Sequence, residues 1–174
     1  SFKPAMEPLR DYIIMNPDSL QVLEVLRDIF MNQNRYPEAI DTYFRLLQAD
    51  PERLEFHQAV AESHWNLKEY SLARIAYENV ISIDEENTEV LYRLGLIALD
   101  QGEPNDAIKY FQTAIDCNEP TLNMFYQLAM AYANWGNYMQ AIIAFQDALN
   151  LAPDDPEIIY QLAVAYRELG IHRT

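Results

Sequence analysis

A chain of 174 residues with 50% hydrophobic content is long enough to bury a sizeable core. Its net charge of −15 excludes the positive footprint that nucleic-acid binding requires and argues against adhesion to anionic lipid. No run approaches transmembrane length, no signal peptide is visible, and the single cysteine, Cys117, leaves no internal disulfide and leans towards a reducing compartment such as the cytoplasm.

Taken in chain order, the apolar residues keep helical spacing throughout. Pro8 marks the start of a helix near 8–15 and Pro17 closes it, so 1–19 reads as the second half of a unit, with 1–7 irregular. From residue 20 a 34-residue pattern repeats: alanines stand at Ala39, Ala73, Ala107 and Ala141, and four residues past each comes a ring, Tyr43, Tyr77, Phe111 and Phe145. Units are therefore expected at 20–53, 54–87, 88–121 and 122–155. Each opens with a helical run such as Leu91, Leu94, Gly95 and Ala98. A short polar turn follows (Lys68-Glu69 or Trp135-Gly136-Asn137, for example), and then a second helix that Asp-Pro or an acidic cluster stops. Pro37, Pro120 and Pro156 sit near first turns, where a missing N–H costs nothing. The last stretch, 156–174, holds a first helix over 157–169 whose partner helix is absent. That helix is apolar nearly all round, the pattern of burial on more than one side. With Ser1 in place of an initiator methionine, a segment of a longer repeat protein is expected, or a chain whose ends pack on another copy. One helical hairpin cannot bury its apolar face alone, and a period of this length means stacked hairpins with a continuous core.

The residues at each position of the period resemble the tetratricopeptide repeat family over essentially the whole chain. The unit from Leu122 fits best, with Phe125, Leu128, Ala129, Tyr132, Ala141, Phe145, Ala148 and Pro153 at the family's marked positions. The unit from Leu20 departs with Arg27 at a small-residue position, and the unit from Leu54 with His57 and His64 at large-residue positions. The resemblance implies an all-α, right-handed superhelical solenoid of antiparallel helix pairs, a single domain over 1–174, that binds protein or peptide partners without catalysis.

Sequence motifs for chemistry are missing. There is no glycine-rich phosphate loop, no Gly-x-Ser-x-Gly and no Cys-x-x-Cys, so no enzyme role and no cofactor is expected. His57 and His64 are seven residues apart, about 10 Å along a helix, which is too far for two ligands of one metal ion. Both occupy core positions, where packed, hydrogen-bonded imidazoles are expected.

Positions 4, 7, 8 and 11 of each first helix face neighbouring helices, and positions 2, 5, 9, 12 and 13 form the opposite stripe. The family resemblance implies that this stripe lines a concave groove. Over the first two units it is polar and acidic, with Glu24 and Asp28, then Glu55, Glu62 and Asn66. Over the last three it is apolar: Tyr92, Leu96 and Leu99, then Tyr126 and Met130, then Tyr160 and Val164. No core demand is evident for Leu96, Met130 or Val164, so lysine at Leu96 and Met130 is expected to leave stability nearly unchanged. Arg167 is the only cation of the stripe, unlike the basic grooves of family members that clamp the carboxylate tails of Hsp70 and Hsp90. The expected partner is a protein or peptide segment with apolar anchors and basic flanks. Self-association through the chain ends and a chaperone-like hold on secreted or membrane-bound clients are the alternatives; direct membrane insertion is not expected.

Overall fold

The computed structural model describes residues 15, 16 and 19–171, so the half-unit expected over 1–19 lies almost wholly outside the described residues. These form nine α-helices and no strand: α1 (Leu20–Asn32), α2 (Tyr36–Ala49), α3 (Leu54–Asn66), α4 (Tyr70–Ile83), α5 (Thr88–Asp100), α6 (Pro104–Cys117), α7 (Leu122–Asn134), α8 (Tyr138–Leu151) and α9 (Pro156–Ile171). First helices start at Leu20, Leu54, Thr88, Leu122 and Pro156, each 34 residues after the last. The architecture is an all-α helical-repeat solenoid. Two compact units make up the chain, Ser1–Asn79 and Val80–Thr174, and the division falls in the last turn of α4.

The turn inside each hairpin is built the same way four times. Asn34, Lys68, Gly102 and Gly136 take φ of 55°, 61°, 73° and 80°. Past each, one N–H reaches back to the carbonyl five residues earlier: Arg35 to Phe30 at 2.9 Å, Glu69 to His64 at 2.9 Å, Glu103 to Ala98 at 2.8 Å and Asn137 to Tyr132 at 2.9 Å. That is the Schellman arrangement, in which a left-handed residue lets the chain satisfy orphan carbonyls while reversing. Side chains close several helix starts: Asn87 accepts from the Val90 N–H, Thr121 from Met124 and Asn137 from Gln140. Pro37 and Pro104 sit in the first turns of α2 and α6, and Pro156 opens α9, while Pro120 falls two residues ahead of α7.

In the first unit, Ala39 and Ala61 are fully buried, and the ring of Tyr43 on α2 packs 5.8 Å from that of Phe56 on α3. Ser63 is also fully buried and donates to the Ala59 carbonyl at 2.7 Å, which removes the cost of a hydroxyl in the core. In the second unit, Ala107, Ala129 and Ala141 are fully buried beside Phe111 and Phe145. On α9 the burial is one-sided. Ile158 and Ala165 are buried in this core, while Ile159, Tyr160 and Tyr166 remain about half exposed or more, so the helix that sequence shows as apolar all round is covered on part of its circumference.

Gly95 on α5 takes this close packing to its limit. A Cβ built there would lie 2.4 Å from Cε1 and 2.6 Å from Cζ of the fully buried Phe111 ring. Gly95→Ala gains about 1 kcal/mol of helix propensity, but overpacking a rigid ring costs roughly 1–3 kcal/mol. The variant is expected to be less stable than the parent by urea denaturation; equal or higher stability would show that the ring moves freely. Lys68 makes the opposite case, since its left-handed backbone disfavours any Cβ. Lys68→Gly is expected to raise stability by up to about 1 kcal/mol in the same assay.

Candidate functional site

Each unit carries its part of the stripe, and the two parts differ in chemistry. In the first unit Glu24, Asp28, Glu55, Glu62 and Asn66 all lie exposed on α1 and α3. They are not bare. Arg27 holds Asp28 at 2.8 Å, Arg53 reaches Glu55 at 3.3 Å, and the Asn66 amide donates to the Glu62 carbonyl at 2.9 Å. Both guanidiniums also sit over the Phe56 ring, 6.0 Å and 5.0 Å from its centroid. Arg27 stands at a position that faces inward in the other units, so a count of stripe positions misses the cation beside Asp28.

His57 and His64 are packed and bonded. The Nε2 of His57 donates to the Pro51 carbonyl at 2.7 Å, and the Nδ1 of His64 donates to Glu69 Oε2 at 2.7 Å. Among the described residues no group of three or more His, Cys, Asp or Glu is placed to hold a metal ion, and no helix is long and apolar enough to cross a membrane.

In the second unit the apolar stripe occupies three successive first helices: Tyr92, Leu96 and Leu99 on α5, Tyr126 and Met130 on α7, and Tyr160 and Val164 on α9. Tyr92, Leu96, Leu99, Tyr126 and Met130 are half-buried and pack against the core. The expectation that Leu96 and Met130 are unneeded by the core is thereby overturned. A buried arc on a helix spans 100° or more, and position 9 falls on its margin rather than outside it. Lysine at either place removes core contacts as well as surface ones. Tyr160 is the outlier, at 63% exposed.

The tyrosines are positioned by rings beneath them. Tyr92 packs 5.7 Å from Phe111 at 55°, and Tyr126 lies 6.0 Å from Phe145 at 63°, both close to the edge-to-face geometry that aromatic quadrupoles favour. The signal is in the sequence, as a tyrosine and a phenylalanine 19 residues apart in both of these repeats. Polar groups border the stripe. Tyr92 forms one wall of a cleft of about 410 Å³ with Thr88, Glu89, Asn118, Thr121 and Met124. The hydroxyl of Tyr126 donates to Glu157 Oε1 on α9 at 3.4 Å.

Burial raises the phenol pKa of Tyr92 above its ordinary value, and does the same at Tyr126, where the Glu157 carboxylate adds repulsion of the phenolate and a hydrogen bond to the neutral form. The folded chain therefore prefers the neutral phenols. The stability this confers is complete below the ordinary value of 10.0 and is lost as the pH rises through the raised folded values. Glu157→Gln is expected to bring the Tyr126 pKa part of the way back, leaving the effects of burial and of the Asp155 carboxylate. A pH titration of the Tyr126 ring carbons by NMR reads this directly, and an unmoved midpoint would show that Glu157 contributes nothing to the shift.

Repeated hairpins with a half-buried apolar stripe define a helical-repeat protein whose surface differs from repeat to repeat. Two family models match the chain, one described as tetratricopeptide repeat over residues 26–87, the other as anaphase-promoting complex, cyclosome, subunit 3 over residues 66–148. These matches, together with the repeat fold, support assignment of the chain to the tetratricopeptide repeat family. Solved structures agree on the fold. A crystal structure of MamA superposes with a TM-score of 0.78 at 22% identity, over 86% of this chain and 82% of that one. A MamA structure from Desulfovibrio magneticus RS-1 gives a TM-score of 0.76 at 16% identity, over 88% and 86%. YrrB, described as a tetratricopeptide repeat protein with an unusual peptide-binding site, gives 0.76 at 21% identity, over 92% and 83%. No curated protein sequence matches the chain significantly.

Proposed function

We propose that this chain is a non-catalytic protein-interaction scaffold, a part of a larger assembly, and that the stripe of its second unit takes a peptide or helical segment with apolar anchors and basic flanks. The observation that carries this reading is the recurrence of apolar side chains at the same two positions of three successive first helices, α5, α7 and α9, with faces left open to solvent. Apolar area at repeated intervals, bordered by polar groups, is what a helical or extended segment requires of its receptor. The tyrosines hold large contact area in fixed orientations, and Met130 adapts to irregular shapes. Basic flanks are favoured by Glu89 and Glu157 beside Tyr92 and Tyr126 and by the net charge of −15. In the first unit, the exposed acidic face on α1 and α3 adds to the same long-range field. Likeness to a family of interaction repeats supports the reading, as does likeness to a model described as a subunit of a complex.

The test is isothermal titration with a synthetic helical peptide bearing leucines at i and i+4 between lysines. Tyr160→Lys, at an exposed position, is expected to weaken binding about tenfold, the equivalent of 1.4 kcal/mol, with helicity and Tm unchanged. Leu96→Lys with Met130→Lys is expected to abolish binding and to lower Tm. Affinity untouched by Tyr160→Lys and by a milder Met130→Gln would remove this stripe from the interface.

A further inference from the structure

In the second unit, two successive hairpins are joined by the same side-chain bond. Gln112 Nε2 on α6 donates to the Tyr132 hydroxyl on α7 at 2.7 Å, and Gln146 Nε2 on α8 donates to the Tyr166 hydroxyl on α9 at 3.2 Å. In each case the tyrosine follows the glutamine by 20 residues, which sets its ring between a second helix and the next first helix. The same register within the first unit is held by Phe44 on α2 and His64 on α3. Phenylalanine has no amide to donate, and imidazole is shorter than phenol. His64 turns to Glu69 instead, at 2.7 Å, and Phe44 is left 53% exposed.

A cleft of about 380 Å³ opens where the tyrosine would be, lined chiefly by Phe44, Leu47, Val60, His64, Leu72 and Ile75. That volume falls in the range of roughly 300–1,000 Å³ seen for small-ligand sites. Leu72 and Ile75 on α4 are 48% and 58% exposed at its rim, and the His57 ring on its wall is fixed by the bond to the Pro51 carbonyl. The cleft face of α3, at residues 57, 60 and 64, lies on the side of the helix opposite Glu55, Glu62 and Asn66. It is therefore a separate surface from the stripe and from the reading given above.

We propose that this cleft is a second docking site, which takes an aromatic side chain, phenylalanine or tyrosine, from a partner segment that carries a basic residue beside it. The ring is argued from the chain itself, since at the α6–α7 junction the buried Tyr132 fills the corresponding space and at the α8–α9 junction the half-exposed Tyr166 makes the same bond. The aliphatic and aromatic walls favour such a ring over a polar group. The basic neighbour is argued from charge: Glu69, with 46% of its side chain exposed, reaches the cleft wall at His64, and its carboxylate keeps acceptor sites beyond the one that His64 occupies.

The test uses the full chain labelled with nitrogen-15 and the probe N-acetyl-Tyr-Lys-amide, with N-acetyl-Leu-Glu-amide for comparison. Saturable shifts are expected at the backbone amides of Phe44, Val60, His64 and Ile75 at millimolar probe, and about tenfold weaker binding of the comparison peptide. The double variant Phe44→Gln, His64→Tyr restores the glutamine–tyrosine bond, fills the cleft, and is expected to abolish those shifts with Tm equal or higher. Should that variant fail to fold, Ile75→Asp at the exposed rim is expected to abolish them too. Absence of saturable shifts at these amides, equal binding of both peptides, or shifts that survive in the folded variants would each overturn the proposal. So would the same shifts appearing on raising the protein concentration alone, because the occupant would then be a second copy of this chain.

Discussion

The structure depends on how closely the two helices of a hairpin approach. Ala39, Ala73, Ala107 and Ala141 are all fully buried, and the partner positions on α3, α5 and α7 are Ala61, Gly95 and Ala129. In those three hairpins nothing larger than a methyl group occupies either position, whereas in the first hairpin Arg27 stands at the place opposite Ala39. Because the approach is that tight, the rings of Phe111 and Phe145 have one place to go, and each fills it with almost no exposure. The rings in turn support Tyr92 and Tyr126. A constraint deep in the hairpin thus sets the side chains of the surface stripe, and a single extra carbon at Gly95 acts on both levels.

Most of this was legible in the sequence because it follows from period and size. The 34-residue spacing places the starts of α1, α3, α5, α7 and α9, and bonded histidines at 57 and 64 follow from their core positions. What escaped has specific physical causes. The turn at Lys68-Glu69 is legible as a polar break, but the left-handed backbone of Lys68 is not, since it is held by the Schellman bonds around it rather than by its own preference. Leu96 and Met130 were assigned to the surface by helical arithmetic, which fixes a direction but not the width of the buried arc. The division of the chain inside α4 leaves no mark, because no glycine, proline or change of composition stands near Asn79. The glutamine–tyrosine bond joins residues 20 apart on different hairpins, and only its recurrence shows that it is a device.

Half-burial of the stripe changes what binding there would cost. A side chain such as Met130 or Leu96 that already leans on the core has given up much of its rotamer freedom before a partner arrives, so less entropy is lost on contact. The tyrosines are further restricted by the rings below them. In the proposed reading the same arrangement would couple affinity to stability, because a substitution that removes an anchor would also remove packing. Tyr160, mostly exposed, is the stripe residue where the two effects separate most cleanly.

Electrostatics divides in a comparable way between local and distant effects. Exposed pairs such as Arg35–Glu38, Arg74–Glu78 and Lys109–Asp106 span one helical turn and contribute little to stability individually. Near the acidic face of the first unit, Arg27 and Arg53 neutralise Asp28 and Glu55 at contact distance while covering the Phe56 ring. A partner lysine meeting those two carboxylates has to compete with a guanidinium already in place. The excess of 27 acidic over 12 basic side chains is unaffected by such pairing, and it acts at the range of the Debye length, about 8 Å at physiological salt. In the proposed reading, the charge of this chain would select basic partners and accelerate their approach rather than hold them, which would leave affinity to the apolar anchors.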